Sequence, residues 1–318
     1  MSNTKLIIEE RAANIGNFLV GRLLPFRQKR MVGSFIFIDH MGPVNLTEND
    51  NLDVAMHPHI GISTLTFLFE GAIVHRDSIG TEIEITPGAV NWMTAGKGVV
   101  HTERTPERLR NSTKRLHGLQ IWVALPLSEE QCEPSFAHVS ADEIPSWEDD
   151  GVQFKLIAGK AFGKQSPVPV YSPLFFIEIK SSEKKTVTIG EHLFGESALY
   201  ILEGSITSDG HTYGEKQLLV AKDSTLCAFE IAANSTVYIF GGEPFNEERF
   251  IEWNFVASNK ELIEQAKEDW KNNKFPSVPN ETERIPLPEQ RRYGGYNEYL
   301  KVRFYHTKIM VFQLLNFL

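Results

Sequence analysis

The chain has 318 residues, of which 42% are hydrophobic and 23% charged, with a net charge of −9. This length accommodates two domains of the usual ~100–200 residues, and the acidic balance excludes broad electrostatic binding to nucleic acid, which needs clustered Lys and Arg. The two cysteines, Cys132 and Cys227, form no CxxC pair, which excludes a disulfide framework or thiolate zinc site and fits a reducing compartment. The N-terminal run Met1–Arg11 becomes charged too early for a signal peptide. No stretch reaches the ~18–20 apolar residues of a membrane span. A cytoplasmic protein with no membrane partner and no direct nucleic-acid partner is therefore expected, while a protein partner stays open.

In chain order, strand-length β-branched or aromatic runs occupy 34–39, 61–69, 73–76, 81–85, 89–95 and 118–125. Turn signals such as Pro87-Gly88 and Gly96-Lys97-Gly98 separate them. The acidic, turn-like stretch 140–151 leads to a second set at 174–180, 185–189, 197–202, 217–221, 226–231 and 236–240. Strands this short and frequent predict an all-β sandwich or barrel in each block. The blocks resemble copies, since LTFLFEGAI beginning at Leu65 matches ALYILEGSI beginning at Ala198, an offset of 133 residues. Beyond residue 256 the pattern changes. Residues 258–272 predict a helix, with Ser258 or Asn259 as N-cap and Leu262, Ile263, Ala266 and Trp270 at helical spacing. A Pro-rich strap over 275–288 and a tail ending in the apolar run 309–318 follow. The expected division is 1–135, 136–256 and 257–318.

Two short motifs carry chemistry: His57-Pro58-His59 and His101-Thr102-Glu103. On a strand, positions i and i+2 face the same side, so each motif offers two ligands to one interior. Three neutral imidazoles and a carboxylate suit Fe, Mn, Ni, Cu or Zn. Four ligands on an octahedral ion leave open positions, an arrangement for catalysis more than for support. With the 133-residue offset, the second block presents Gly190 and His192 opposite the HxH pair, and Asn234 and Thr236 opposite the HxE pair. A metal-free second barrel is expected. His40 reads either as lining the site or as a turn-stabilising residue. His75 and His117 read as surface or satisfied structural histidines, and Glu82 and Glu84 as a solvated strand face. The basic cluster Arg104, Arg108, Arg110, Lys114 and Arg115 reads first as a solvated loop, second as a guard for an anionic ligand.

The runs FIDHMGP from Phe37, MHPHIG from Met56, TAGKGVVHTE from Thr94 and LHGLQIWV from Leu116 resemble the pirin family of the cupin superfamily. The resemblance extends in order from about residue 5 to 290 and includes WNFV from Trp253. It implies two tandem cupin-type barrels (double-stranded β-helices, or jelly rolls) with a C-terminal helix and extended tail, the chain being expected as a monomer. It further implies one divalent metal, foremost Fe(II), held in the first barrel by His57, His59, His101 and Glu103. The Glu that many cupins carry a few residues after HxH is absent, Thr64 and Leu65 standing there, so Glu103 supplies the carboxylate. The activity implied is a quercetin 2,3-dioxygenase type of oxidoreductase chemistry. A small aromatic or enol substrate would meet O2 at the metal, with Glu103 as ligand and possible base. Phe35, Phe37, Met41, Met56 and Trp92 are candidates for the pocket wall. The same resemblance carries an alternative, a redox-sensing metal protein that modulates a protein partner without turnover, and a third reading as a noncatalytic stress protein.

Overall fold

The computed structural model describes residues 4–15, 18–221 and 228–288; Cys227 and the apolar run 309–318 lie outside them. Strand β1 (Thr4–Glu9) opens the chain. The first barrel contains β2 (Arg11–Ile15), β3 (Phe18–Leu24), β4 (Phe35–Leu46), β5 (Asp53–His59), β6 (Ile62–Glu70), β7 (Ile73–Asp77), β8 (Glu82–Ile85), β9 (Val90–Thr94), β10 (Val99–Arg104), β11 (Lys114–Ala124) and β12 (Ser135–Val139). The second contains β13 (Ser146–Asp149), β14 (Val152–Ala161), β15 (Lys164–Gln165), β16 (Leu174–Ser181), β17 (Lys185–Thr188), β18 (Glu196–Glu203), β19 (Ser205–Ser208), β20 (His211–Gly214), β21 (Gln217–Ala221), β22 (Ala228–Ile231) and β23 (Ser235–Gly242). Strands β24 (Phe250–Glu252) and β25 (Phe255–Ala257) and helix α1 (Lys260–Lys271) follow.

Each barrel has a large and a small sheet, and the two sets match in strand order apart from the short β15, which pairs with β14 in the second alone. The large sheets run β12-β9-β6-β11-β4-β3-β2 and β1-β21-β18-β23-β16-β14-β13; the small ones run β5-β10-β7-β8 and β17-β22-β19-β20. Strands β6 and β18, which carry the repeated sequence, occupy equivalent places, so the internal duplication is real in topology. The segments flanking the two barrels cross over. Strand β1 completes the second barrel's large sheet by pairing with β21, from Thr4↔Ala221 to Glu9↔Gln217. The segment after the second barrel packs back on the first.

The large sheets share one hydrophobic core, with Phe35, Phe67 and Trp92 from the first barrel against Phe176, Tyr200, Tyr238 and Phe240 from the second. Inside the second barrel, one hydrocarbon cluster fills the space. Inside the first, the apolar residues form two separate clusters, one around Met41, Leu68 and Leu116 and one around Phe37, Met93 and Trp122. Polar side chains such as Thr64, Thr66, Asn91 and Gln120 are buried in the same barrel.

Helix α1 starts where the sequence places it. Asn259 Oδ1 accepts from Leu262 N at 2.9 Å, satisfying one of the amides orphaned at a helix start. Its inner face (Ile263, Ala266, Trp270) packs with Phe255 and Val278. Trp270 Nε1 donates to Ile285 O at 3.0 Å, and the Arg284 guanidinium lies 3.6 Å from the Trp270 ring centroid. The strap thus held runs beside the edge strand β5. Met56 N donates to Glu283 O at 3.0 Å and Ile285 N to Met56 O at 2.9 Å. The edge amides that would template unwanted pairing are covered.

Candidate metal centre

Strands β5, β10 and β7 lie side by side, and each carries a pair of polar residues two positions apart. The register sets His57 opposite His101, His101 opposite Asp77, and Glu103 opposite His75. Directly opposed residues of an antiparallel pair face the same side, so three short motifs (HxH, HxE and HxD) project to one face. Among the described residues, His57, His59 and His101 form a group whose donor atoms all lie within 4.8 Å of one another. The three side chains are buried. Ring centroids are separated by 4.2 Å for His57 and His101, 5.2 Å for His57 and His59, and 5.1 Å for His59 and His101.

The hydrogen bonds around the triad assign its tautomers. His57 Nδ1 lies 2.9 Å from Ala55 O, and His59 Nδ1 lies 3.1 Å from Asn254 O. A carbonyl only accepts, so both Nδ1 atoms carry the hydrogen and both Nε2 atoms keep a lone pair. His101 Nε2 is buried and has no hydrogen-bond partner among the described residues. Leaving such an atom unpaired costs about 1–3 kcal/mol, a cost that a cation at this point would remove. Burial holds the triad neutral. It lowers His57 to about 4 and takes His59 and His101 well below the ordinary imidazole range, neighbouring histidines adding to the effect. Three neutral imidazoles with converging lone pairs fit a divalent transition metal.

Glu103 lies outside the close group. A bulge interrupts the β5–β10 register between His101 and Glu103, which displaces the carboxylate relative to an unbroken ladder. Burial pushes its pKa up to about 7. His75, which the sequence reading places at the surface or in a structural role, is buried beside the triad. Its Nδ1 lies 3.4 Å from His101 Nδ1 and its Nε2 lies 3.0 Å from Asp77 Oδ2. Asp77 drew no attention in the sequence. The signal that finds it is the third i, i+2 motif, His75-Arg76-Asp77, on a strand next to HxE.

Other expectations need correction. His40 does not line this site. It bonds His117 Nε2 at 2.8 Å, Glu10 at 2.5 Å and Tyr200 at 2.9 Å, in a cluster where the two barrels meet. His117, held down to about 4 by burial and by His40, is a structural histidine of that cluster, the second of the two roles expected for it. Of the proposed pocket wall, only Phe37 reaches the triad, through Trp122, which it stacks at 4.0 Å and which meets His59 at 5.0 Å. Phe35 and Trp92 fill the shared core, Met41 an apolar end of the barrel, and Met56 the contact with Phe255 and α1. The basic cluster is engaged in ion pairs. Arg104 binds Glu281, Arg110 binds Asp53 at 2.6 Å and Arg115 binds Glu70 at 2.8 Å.

The constant offset also misplaces the second barrel's counterparts. Gly190–His192 form a 3-10 turn after β17, and Asn234 lies in a left-handed turn before β23. The strands equivalent to β5 and β10 are β17 and β22. Their inward positions Val187, Phe229 and Ile231 are buried hydrocarbon. Loop lengths differ between the copies, so a fixed shift fails even where strand order is kept.

Residues 17–123 match the Pirin family and residues 176–276 match the Pirin C-terminal cupin domain. A "Pirin-like protein" of Caulobacter vibrioides is 47% identical over 289 residues, covering 89% of this chain and 99% of that protein. The chain belongs to the pirin family. Its two barrels are therefore cupin domains, and the triad is in the first. A second pirin relative, from Pseudomonas aeruginosa, bears the name "putative quercetin 2,3-dioxygenase". It is 36% identical over 265 residues, covering 83% of this chain and 82% of its own. Among solved structures, a crystal structure of quercetin 2,3-dioxygenase from Acinetobacter baumannii superimposes with a TM-score of 0.82 at 33% identity. It covers 91% of this chain and 96% of that one.

Proposed function

We propose that this pirin is a metal-dependent dioxygenase that opens the ring of a flavonol such as quercetin, with His57, His59, His101 and Glu103 holding one divalent ion. Iron(II) is the ion this reading favours. The observation that carries it is the set of three buried imidazoles whose donor nitrogens lie within 4.8 Å of one another. Such an ion, when bound, supplies Lewis acidity and redox capacity. The names and structures of the relatives support the substrate class.

The residues divide the remaining work. Glu103, the carboxylate two residues from His101 on β10, takes the proton of the flavonol 3-hydroxyl as general base. Burial of the three histidines keeps water from the centre, and Trp122 stacked on Phe37 gives the His59 side an apolar wall suited to a flat ring. His57 and His59, fixed by the carbonyls of Ala55 and Asn254, hold their rings in place without rearrangement. The overall reaction consumes one dioxygen and releases carbon monoxide.

The test is to load the protein with iron(II) without oxygen, add quercetin, admit air and follow the flavonol absorbance. Decay that is abolished in His101→Ala and Glu103→Ala, with carbon monoxide released, is the expected result. An unchanged absorbance with the metal bound would overturn the enzyme reading. A redox-dependent association with a protein partner without turnover would then favour a sensor.

A further inference from the structure

The geometry points to His75 and Asp77 as positioning residues that fix which nitrogen of His101 faces the metal. This rests on the triad as a metal centre and is independent of the substrate.

The three imidazoles of the triad reach their orientation differently. For His57 and His59 a backbone carbonyl accepts from Nδ1. Among the described residues no carbonyl accepts from His101 Nδ1. Its Nδ1 faces His75 Nδ1 at 3.4 Å, and an imidazole nitrogen can donate or accept. The choice is therefore made one residue further out. His75 Nε2 lies 3.0 Å from Asp77 Oδ2. The other oxygen, Asp77 Oδ1, accepts from the backbone amides of Ile79 at 3.1 Å and Thr81 at 2.9 Å. A carboxylate only accepts, so His75 must carry its hydrogen on Nε2. In the neutral imidazole its Nδ1 is then an acceptor, so His101 Nδ1 donates and His101 Nε2 keeps the lone pair. That Nε2 is the buried atom without a hydrogen-bond partner among the described residues.

The His75–Asp77 pair is anchored in the fold. Asp77 is fully buried and ends β7. The turn after it is tied to the strand that carries His101, with Ser78 N donating to Val100 O at 2.8 Å and Val100 N donating to Ser78 Oγ at 3.1 Å. Phe136 packs on the His75 ring at 4.6 Å between centroids. The dyad cannot rotate away from His101 without breaking these contacts.

Asp77→Asn tests the direction of the relay with almost no change in shape. The two backbone amides hold the new amide oxygen, which turns its NH2 toward His75. His75 then accepts on Nε2 and carries its hydrogen on Nδ1, and His101 is driven to the Nε2–H form, with a proton where the ion should bind. Two measurements are made. Ring-nitrogen NMR of the metal-free protein reads the tautomer of His101, and competition with a chelator reads iron(II) or zinc affinity. The expected result is Nδ1–H at His101 in the parent, Nε2–H in Asp77→Asn, and metal affinity about 10–100-fold weaker in the variant. An unchanged tautomer, or unchanged affinity, overturns the assignment. Failure of the parent itself to bind metal would instead count against the triad reading. Should Asp77→Asn not fold, His75→Asn and His75→Leu decide. Asn keeps an acceptor near the Nδ1 position and should stay within a few-fold of the parent, whereas Leu should lose about 10–100-fold. Equal affinities in those two variants would sink the proposal.

Discussion

Replacing His101 by Leu separates what the residue does for the metal from what it does for the fold. In the metal-free protein the substitution deletes a buried Nε2 without a partner among the described residues, which relieves about 1–3 kcal/mol. It also deletes the contact at 3.4 Å to His75 Nδ1 and leaves that atom unpaired, a cost of similar size. The two nearly cancel, and the leucine fits a strand flanked by buried Val99 and Val100. Net change in metal-free stability should be within about 1 kcal/mol. With metal the outcome differs. A ligand at 100 times its Kd stabilises the parent by about 2.7 kcal/mol, and the variant should gain almost none of it. Urea unfolding with a chelator and then with excess zinc gives both quantities from one set of curves. A loss above about 3 kcal/mol in the chelated variant would mean that His101 is a structural residue. A full metal response in the variant would mean that the ion binds elsewhere.

Other outcomes follow from the same structure. The metal-free protein should lose stability as pH falls from about 6.5 toward 4, because unfolded imidazoles take up protons that folded His57 refuses until about pH 4. The folded pKa is depressed, so this contribution is complete above the unfolded value, and His57 alone accounts for about 3 kcal/mol across that window; a flat profile from denaturant titrations at several pH values would contradict it. Gly21→Ala should cost about 1–3 kcal/mol, since its Cβ would collide with the Glu10 carboxylate. Glu10 must then swing off His40 and Tyr200 and leave buried polar atoms behind, and thermal unfolding will read the loss. Glu281→Gln should free the strap to limited proteolysis while global stability changes by roughly 1–2 kcal/mol. The carboxylate receives Arg104 at 2.6 Å, Arg76 at 3.5 Å and Thr102 at 3.3 Å. Unaltered cleavage would show that the contacts with Met56 and Trp270 hold the strap without the Glu281 carboxylate.

Continuous apolar runs were legible as strands, and so were the mixed runs 73–76 and 81–85, which match β7 and β8. Residues 61–69, 89–95 and 118–125 match β6, β9 and β11, which are central in the large sheet of the first barrel and buried on both sides. The ligand-bearing strands β5 and β10 were not marked as strands, because His, Pro, Thr and Glu interrupt the hydrophobic run. Their i, i+2 spacing puts His57 and His59 on one face, and the β5–β10 register sets His101 beside them. What spacing could not give was the neighbour. Whether His75 meets His101 depends on β7 pairing with β10 at Glu103↔His75, and that register is set by packing between residues more than 25 apart. His40 failed for the same reason, since its partners Glu10, His117 and Tyr200 come from three distant stretches of the chain.

The pairing of β1 with β21 has a consequence for how the molecule is made. A ribosome adding roughly 5–20 residues each second delivers Thr4–Glu9 well before Gln217–Ala221, a wait of about 10–40 s at those rates. Throughout that interval the nascent chain holds a strand whose proper mate is still unwritten, while half-built sheets nearby offer wrong ones. Synthesis in the cell therefore has to shelter this leading ribbon until its partner emerges.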